Sequence, residues 1–328
     1  MNDKITRESI MKIMHGSWSF RALYAAVDLE IFTKISQGKN TAKQIAEDLE
    51  TEEDAIERLL NVCVALNLLI KNNQEYQNVP EAEEFLVKGK ESYYGDMIIM
   101  FGKGDSLKDV EKIILDSSLK KQNLKSRMKN PEQAEIFTKA MHNNAMGPAK
   151  ILSDKFDFSN FKKLLDLGGG SGAFSIVLTK KYENLNAIVF ELPNVCKVTE
   201  KFIKEGKAEK VGTIKGDFFK DELPKDCDIV LISQILHSFN SEKNKEILKK
   251  VYDSLPEKGV VIINEFLLNP EKTGPLFPAL FALNMLVGSE KGNAYTEEEI
   301  KGWLEDTGFK YEQTLHLAGP IKSIIARK

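Results

Sequence analysis

A glycine-rich segment lies where the sequence predicts the end of a strand and the start of a helix. It reads Asp166-Leu167-Gly168-Gly169-Gly170-Ser171-Gly172. Glycines permit a tight turn and a close approach of the backbone to a ligand, and the start of the following helix offers free N–H groups. The spacing Gly168-x-Gly170-x-x-Ala173 also fits the dinucleotide fingerprint. The loop therefore predicts a nucleotide-type ligand without naming it.

Three carboxylates narrow the identity of that ligand. Glu191 ends the second predicted strand, where an acid accepts hydrogen bonds from the two hydroxyls of a ribose. Asp217 ends the third predicted strand, and with Phe218 it suits the amine and the ring of an adenine. Asp166 precedes the first glycine closely, where a carboxylate would repel a pyrophosphate and attract the ammonium of a methionine moiety. The set favours S-adenosylmethionine (SAM) over NAD.

A sheet is needed to bring these residues together. From Phe161 onwards, short β-branched runs alternate with amphipathic helical stretches, which predicts a doubly wound, Rossmann-like α/β domain with an antiparallel pair of strands at its end. The predicted strands are Lys163–Leu167, Ala187–Leu192, Val211–Asp217, Asp228–Ser233, Val260–Phe266, Tyr311–Leu317 and Ser323–Ala326. The predicted helices are Ala173–Tyr182, Val195–Glu205, Ser241–Leu255 and Thr296–Thr307. The run Gly274–Pro278 predicts a loop that leads to a pocket-lining helix.

The part of the chain before this domain predicts helices almost throughout. They cover Ser17–Ile35, Thr41–Leu49 with Thr41 as its cap, Thr51–Leu66 with a capping box from Thr51 to Asp54, Ser92 to about Lys121, and Pro131 to about Phe156. A hairpin within Leu68–Val79 follows the third helix, which completes a winged-helix pattern. We expect a winged-helix domain over residues 1–100, a helical connector over 101–157 and the α/β domain over 158–328.

Composition argues against a secreted, membrane-spanning, zinc-finger or low-complexity protein. The 328 residues are 42% hydrophobic and 29% charged with a net charge of −3, and the three cysteines lie far apart. We expect a cytoplasmic protein that binds no metal, membrane or nucleic acid. A winged helix is normally a DNA reader, but Thr41–Leu60 has seven acidic and two basic residues, which would repel phosphates. A DNA-binding regulator and an NAD-dependent oxidoreductase stay as alternatives from other classes.

Four motifs stand in a characteristic order. They are Asp166–Gly172, Phe190-Glu191-Leu192-Pro193-Asn194-Val195, Gly216-Asp217-Phe218-Phe219 and Ile235-Leu236-His237-Ser238-Phe239. With them the chain resembles, over nearly its whole length, the SAM-dependent O-methyltransferases of the caffeate/acetylserotonin type. The resemblance implies transfer of a methyl group from SAM, leaving S-adenosylhomocysteine (SAH), to a hydroxyl of a small aromatic acceptor. It also implies a homodimer formed through the N-terminal domain.

The resemblance implies roles for individual residues. The cofactor would contact Asp166, Gly168, Gly170, Glu191, Leu192, Gly216, Asp217, Phe218, Ser233 and Met141. His237 would be the general base and Glu265 would orient it. Asn284 and Met285 would line the acceptor pocket, and Trp18 would reach that of the partner. We also expect Phe281 and His142 on the acceptor side. Phe281 lies in an apolar stretch, and His142 directly follows Met141.

Two positions depart from the family pattern. Ser238 follows the histidine where the family often has Asp, and Ala294 stands where a second glutamate is usual. Only Glu265 is then left to orient His237. N-, S- or C-methylation, or the chemistry of a non-methylating relative, therefore stays open beside O-methylation.

Overall fold

The computed structural model describes residues 6–104, 107, 109–116, 118 and 124–328. The chain forms two compact units, Met1–Asp105 and Ser106–Lys328. No helix in the described ranges is both long enough and apolar enough to cross a bilayer.

The first unit is helical apart from one hairpin. Its helices are α1 (Glu8–Asp28), α2 (Ile31–Ser36), α3 (Ala42–Asp48), α4 (Glu53–Ala65), α5 (Pro80–Phe85) and α6 (Gly95–Lys103), and its hairpin pairs β1 (Leu69–Asn72) with β2 (Glu75–Asn78). The predicted order of two short helices followed by a hairpin is confirmed. Phe32, Ile45 and Leu60 are fully buried where the helices meet.

Local backbone chemistry explains where helix predictions in this unit fail. The predicted helix Ser17–Ile35 is interrupted because Glu30 adopts a left-handed conformation with φ 55°. Thr41 caps α3 as expected, in a capping box with Gln44. The box predicted from Thr51 to Asp54 is wrong, since α4 starts at Glu53 and its N-cap residue makes no side-chain hydrogen bond.

The second unit is built on an eight-stranded sheet. Its strands are β3 (Lys163–Leu167), β4 (Asn186–Glu191), β5 (Val211–Lys215), β6 (Ile229–Ser233), β7 (Val260–Leu268), β8 (Tyr295–Thr296), β9 (Lys310–His316) and β10 (Ile321–Arg327). The main path runs β5-β4-β3-β6-β7-β10-β9, and the two-residue β8 pairs with the end of β7. Strands β3 to β7 are parallel, and β10 is antiparallel to β9, as the sequence predicts. Strand β10 is also antiparallel to β7.

The described part of the second unit also contains helices. They are α7 (Val110–Leu115), α8 (Leu124–Arg127), α9 (Pro131–Lys155), α10 (Ala173–Lys181), α11 (Pro193–Glu205), α12 (Ser241–Ser254), α13 (Leu276–Gly288) and α14 (Glu297–Thr307). The helix predicted from Ser92 to about Lys121 is instead divided into α6 and α7, and residues 117 and 119–121 lie outside the described residues. Helix α9, assigned by the sequence to a connector, packs on α10 and α11 within this unit.

Helix α13 starts earlier than the sequence indicates. Leu276, Phe277 and Pro278 belong to its first turn rather than to the preceding loop. Proline is tolerated there because the first N–H groups of a helix have no partner within the helix. The helix consequently presents Phe277 as well as Phe281 beside the sheet.

Candidate active site

The glycine loop follows β3, where β3 lies between β4 and β6 at the switch point of the sheet. Gly168, Gly170 and Gly172 have φ values of 67°, 56° and 74°, a region that disfavours residues with a Cβ. At Gly169 the reason for glycine is space, since a Cβ would lie 2.4 Å from the Asp166 carboxyl carbon. The loop is thus folded tightly over the Asp166 carboxylate.

Asp166 holds an unused buried oxygen. The residue is 1% exposed, and its Oδ2 accepts a hydrogen bond of 2.7 Å from the Ser175 hydroxyl. Its Oδ1 is buried without a hydrogen-bond partner. Burial raises the pKa of Asp166 to about 6. A buried carboxylate oxygen with no partner is costly by itself and is suited to a cationic donor from a ligand.

Glu191 is the last residue of β4, and its carboxylate accepts the backbone N–H of Leu192. Desolvation raises its pKa to about 7, although the Leu192 N–H favours the ionised form. Asp166 is the penultimate residue of β3 and Glu191 is the last residue of the neighbouring parallel strand β4, so two desolvated acids lie at the same edge of the sheet. Donors from a ligand would stabilise the charged form of both.

Asp217 and Phe218 lie just beyond β5, the next strand along that edge. The Asp217 carboxylate pairs with the Lys125 ammonium and accepts the Phe219 N–H at 3.2 Å. Burial opposes ionisation of Asp217, but the contacts with Lys125 and Phe219 outweigh it and lower its pKa. At Gly216 a Cβ would lie 2.3 Å from the Phe190 ring, so this turn also needs glycine.

Two further residues assigned to the cofactor lie on other elements. Ser233 is the last residue of β6, and its hydroxyl is 3.4 Å from the Asn264 amide nitrogen. Met141 is half-buried on α9 and directly precedes His142, which contacts the glycine loop. Ser233 therefore joins Asp166 and Glu191 at the carboxyl ends of the parallel strands.

His237 and Glu265 form a hydrogen-bonded pair. His237 lies in a short 3-10 turn after β6, and its Nδ1 is 2.9 Å from Glu265 Oε2. The backbone N–H of His237 donates to Glu265 Oε1 at 3.2 Å. Glu265 is 2% exposed on β7, so both oxygens of a buried carboxylate hold one histidine. With Nδ1 so occupied, Nε2 is the nitrogen left for proton transfer.

The segment before β8 packs against His237 without adding a second acid. The Asn293 N–H donates to the His237 carbonyl oxygen at 2.9 Å. A Cβ on Gly292 would lie 2.4 Å from the same oxygen. Ala294, where the family pattern has glutamate, is buried and offers no side-chain acceptor.

Aromatic rings pack near the His237 imidazole. The ring of Phe281 meets the imidazole edge-on at a centroid distance of 4.8 Å. Phe266 lies 4.9 Å from Phe281 and 4.9 Å from Phe277, also edge to face. Asn284 and Met285 are half-buried further along α13. Phe266 was not singled out from the sequence, where its position directly after Glu265 was the only available signal.

One residue predicted on the acceptor side, His142, contacts the glycine loop, and its contact with an acceptor stays a prediction. The Nδ1 atom of His142 lies 2.8 Å from the Ser171 hydroxyl, and its ring stacks on Phe202 at 3.9 Å. These contacts place His142 against the glycine loop. Trp18 belongs to the first unit, where it is 76% exposed on α1 and 5.9 Å from the His15 ring, and its contact with an acceptor stays a prediction.

No group of three or more His, Cys, Asp or Glu side chains suited to a metal ion occurs among the residues described above. The site thus consists of a glycine loop over a buried acid, further acids at neighbouring strand ends, and a histidine–glutamate pair beside aromatic rings. This combination of residues is suited to a class of enzymes that bind a nucleoside and move a proton beside it.

Comparison with known proteins identifies that class. Residues 108–310 match the O-methyltransferase domain family, and residues 11–88 match the O-methyltransferase dimerisation domain. The 3-hydroxy-5-methyl-1-naphthoate 3-O-methyltransferase of Streptomyces sahachiroi is 32% identical over 93% of this chain and 90% of its own length. The acetylserotonin O-methyltransferase of Bos taurus is 27% identical over 96% and 95%.

Solved structures share the fold. Human N-acetylserotonin methyltransferase in complex with SAM superposes with a TM-score of 0.88 at 22% identity, covering 100% of this chain and 99% of that one. PigF with SAH gives a TM-score of 0.86 at 23% identity, with coverage of 99% and 100%. The chain belongs to the family of SAM-dependent O-methyltransferases. The alternatives of a DNA-binding regulator and an NAD-dependent oxidoreductase are thereby set aside.

Proposed function

We propose that the protein transfers the methyl group of SAM to a hydroxyl of a small aromatic acceptor, with His237 as the general base. The observation that supports this most directly is the His237–Glu265 pair beside the ring of Phe281. It combines a proton acceptor, a group that orients it and an aromatic surface at one point on the rim of the sheet.

The residues at the strand ends fit the cofactor. The unpartnered Asp166 oxygen is suited to the ammonium of the methionine moiety, which the glycines at 168 and 170 allow to approach. Glu191 would accept the ribose hydroxyls beside Leu192, and Asp217 with Phe218 and Gly216 would hold the adenine. Met141 and Ser233 would also contact the cofactor.

The chemistry that remains for the protein is positioning and proton removal. When bound, SAM supplies a methyl group on a sulfonium, which is already electrophilic. A phenol has a pKa of about 10, so it is mostly protonated at neutral pH and its oxygen is a poor nucleophile. His237 Nε2 would accept the hydroxyl proton as the oxygen attacks, and Glu265 would stabilise the resulting imidazolium through Nδ1–H. Water would be excluded by the phenylalanine rings.

The aromatic rings favour a planar acceptor. Phe266, Phe277 and Phe281 present edges and faces within 4.9–5.9 Å of one another next to His237. Edge-to-face and offset contacts stabilise aromatic ligands beyond their buried area. Relatives named for acting on a hydroxynaphthoate and on acetylserotonin agree with an acceptor of this kind. Asn284 and Met285 would contact its substituents.

The test is a screen of hydroxyaromatic compounds, including hydroxynaphthoates and N-acetylserotonin, with methyl-labelled SAM. Gain of one labelled methyl on an oxygen of a product, shown by mass spectrometry and NMR, is the expected result. Labelling only on nitrogen, sulfur or carbon would overturn the O-methyl assignment. Absence of any heat with SAH in calorimetry would overturn the cofactor assignment itself.

We also propose that two copies of the chain associate through the N-terminal unit. Helix α1 exposes large apolar side chains at helical spacing: Ile10 is 63% exposed, Ile13 80%, Met14 63% and Trp18 76%. Such a stripe on one helix is unfavourable in water and is typical of an interface. The match of residues 11–88 to a dimerisation domain supports the same reading.

A further inference from the structure

We propose that His142 is a positioning residue for the cofactor loop, which it holds in shape from helix α9 through the hydroxyl of Ser171. The inference rests on the proposed function, because the loop is the segment assigned to SAM. It differs from the role predicted from sequence, in which His142 faces the acceptor.

Ser171 provides the side chain through which another element can hydrogen-bond to this loop. Within Gly168–Gly172 it is the residue that has a side chain beyond the backbone. It is 3% exposed, and its hydroxyl lies 2.8 Å from His142 Nδ1. It sits between Gly170 and Gly172, both in the left-handed region. A hydrogen bond at this point restrains a turn whose neighbouring glycines would otherwise allow many backbone conformations.

A second helix supports the same arrangement. On α11, the Thr199 hydroxyl donates to the Gly170 carbonyl oxygen at 2.6 Å. One turn later, Phe202 stacks on the His142 ring at a centroid distance of 3.9 Å and an interplanar angle of 14°. Helices α9 and α11 thus hold adjacent residues of the loop, and Phe202 keeps the imidazole in place for its bond to Ser171.

The ionisation state of His142 suits this position. Burial lowers its pKa to about 4, so the ring is neutral near pH 7. A neutral imidazole can share one hydrogen bond with a hydroxyl in either direction. It also adds no positive charge next to a loop assigned to a cofactor with an ammonium and a sulfonium.

The test is a double-mutant cycle on SAH affinity, measured by titration calorimetry. His142→Phe keeps a ring to stack on Phe202 and removes the hydrogen bond, and Ser171→Ala removes it from the other side. Each substitution is expected to raise the SAH Kd about five- to tenfold, and the double variant no further than the larger single effect. His316→Phe is the matched control, because it deletes a histidine hydrogen bond to the Gly319 carbonyl far along the sequence, on β9, and should leave the Kd unchanged.

The outcomes are distinct. If the wild type binds SAH and His142→Phe does not change the Kd, or the two effects add, the role of His142 is overturned while the proposed function stands. A drop in the thermal stability of His142→Phe without a change in its SAH Kd would also contradict the positioning role of His142. Should His142→Phe fail to fold, His142→Gln provides the test: its amide can still bond Ser171, so a Kd within about threefold of the wild type is expected. A larger loss for His142→Gln than for Ser171→Ala would contradict the inference, and wild type that fails to bind SAH would overturn the proposed function with it.

Discussion

Glu265 holds His237 with both of its carboxylate oxygens, so a single buried acid fixes the ring and its tautomer. The departures at Ser238 and Ala294 remove the other groups that family members place near the histidine. The backbone of Asn293 still contacts the His237 carbonyl, which keeps the turn in place. If His237 acts as the proposed general base, its orientation depends on the Glu265 carboxylate, with no second acid at position 294.

His237→Gln should abolish proton removal while leaving the cofactor site intact. We expect turnover to fall about a hundredfold or more, because general-base catalysis contributes about 10²–10⁴. The SAH Kd should stay within about twofold, since the ring contacts Glu265 and Phe281 rather than the loop. Steady-state kinetics and calorimetry on the same preparation check this, and near-wild-type turnover would show that proximity alone drives the transfer.

Glu265→Gln separates orientation from charge. The amide preserves the shape of the side chain but cannot stabilise an imidazolium, so turnover should fall about tenfold or more at neutral pH. Steady-state kinetics at saturating SAM and acceptor measures the loss of turnover. Turnover equal to that of the wild type would contradict the proposed pairing.

The two raised pKa values predict that cofactor binding depends on pH. Asp166 and Glu191 have pKa values of about 6 and about 7 without ligand, and a cation with ribose hydroxyls stabilises their ionised forms. Binding should therefore release protons between pH 6 and 7, and the SAH Kd should be about tenfold weaker at pH 6 than at pH 8. Calorimetry in buffers of different ionisation enthalpy measures the protons released. Glu191→Gln should bind SAH more weakly, and its Kd should depend less steeply on pH. A pH dependence of the Kd equal to that of the wild type would exclude Glu191 as the source of the released protons.

At the scale of elements, the glycine loop depends on close packing of the backbone on Asp166. A Cβ at Gly169 would lie 2.4 Å from the Asp166 carboxyl carbon, so Gly169→Ala must displace that carboxylate. We expect the SAH Kd to rise more than about tenfold. Gly302→Ala is the matched control: it lies within α14 with open space around its Cβ and should stabilise the fold by about 0.5–1 kcal/mol. Thermal unfolding and calorimetry distinguish the two, and unchanged SAH binding in Gly169→Ala would refute the packing argument.

Strong periodic signals explain which elements could be predicted from the sequence. The strands β3 to β7 are apolar runs bounded by polar residues, and their parallel direction follows from alternation with helices. The interruption at Glu30 and the two-residue β8 depend on tertiary contacts that no local pattern records. For the same reason the sequence gives no signal for the contact between His142 and Ser171, because helical position alone does not show which neighbouring loop a side chain meets.

At the scale of the whole molecule, the two units differ in how completely they bury their apolar side chains. The second unit places its apolar residues on both faces of the sheet, where Leu165, Val230 and Ile262 are fully covered. The first unit leaves a stripe of α1 in water, although its own core is complete around Phe32 and Leu60. An exposed apolar stripe on a domain that is otherwise well packed supports the proposed association of two chains through this unit.

Ile13→Glu tests this association. The side chain is 80% exposed on α1, so the substitution costs the isolated unit little, but burying an unpaired carboxylate in an apolar interface is strongly unfavourable. We expect the dimer to dissociate, with its Kd raised about a hundredfold or more. Light scattering after size-exclusion chromatography measures the mass against that of the 37.0 kDa chain. Leu115→Glu, on α7 and 87% exposed, is the matched control and should leave the mass unchanged. A monomeric wild type would show that the proposed dimer does not form. Loss of the dimer in Leu115→Glu but not in Ile13→Glu would place the interface elsewhere.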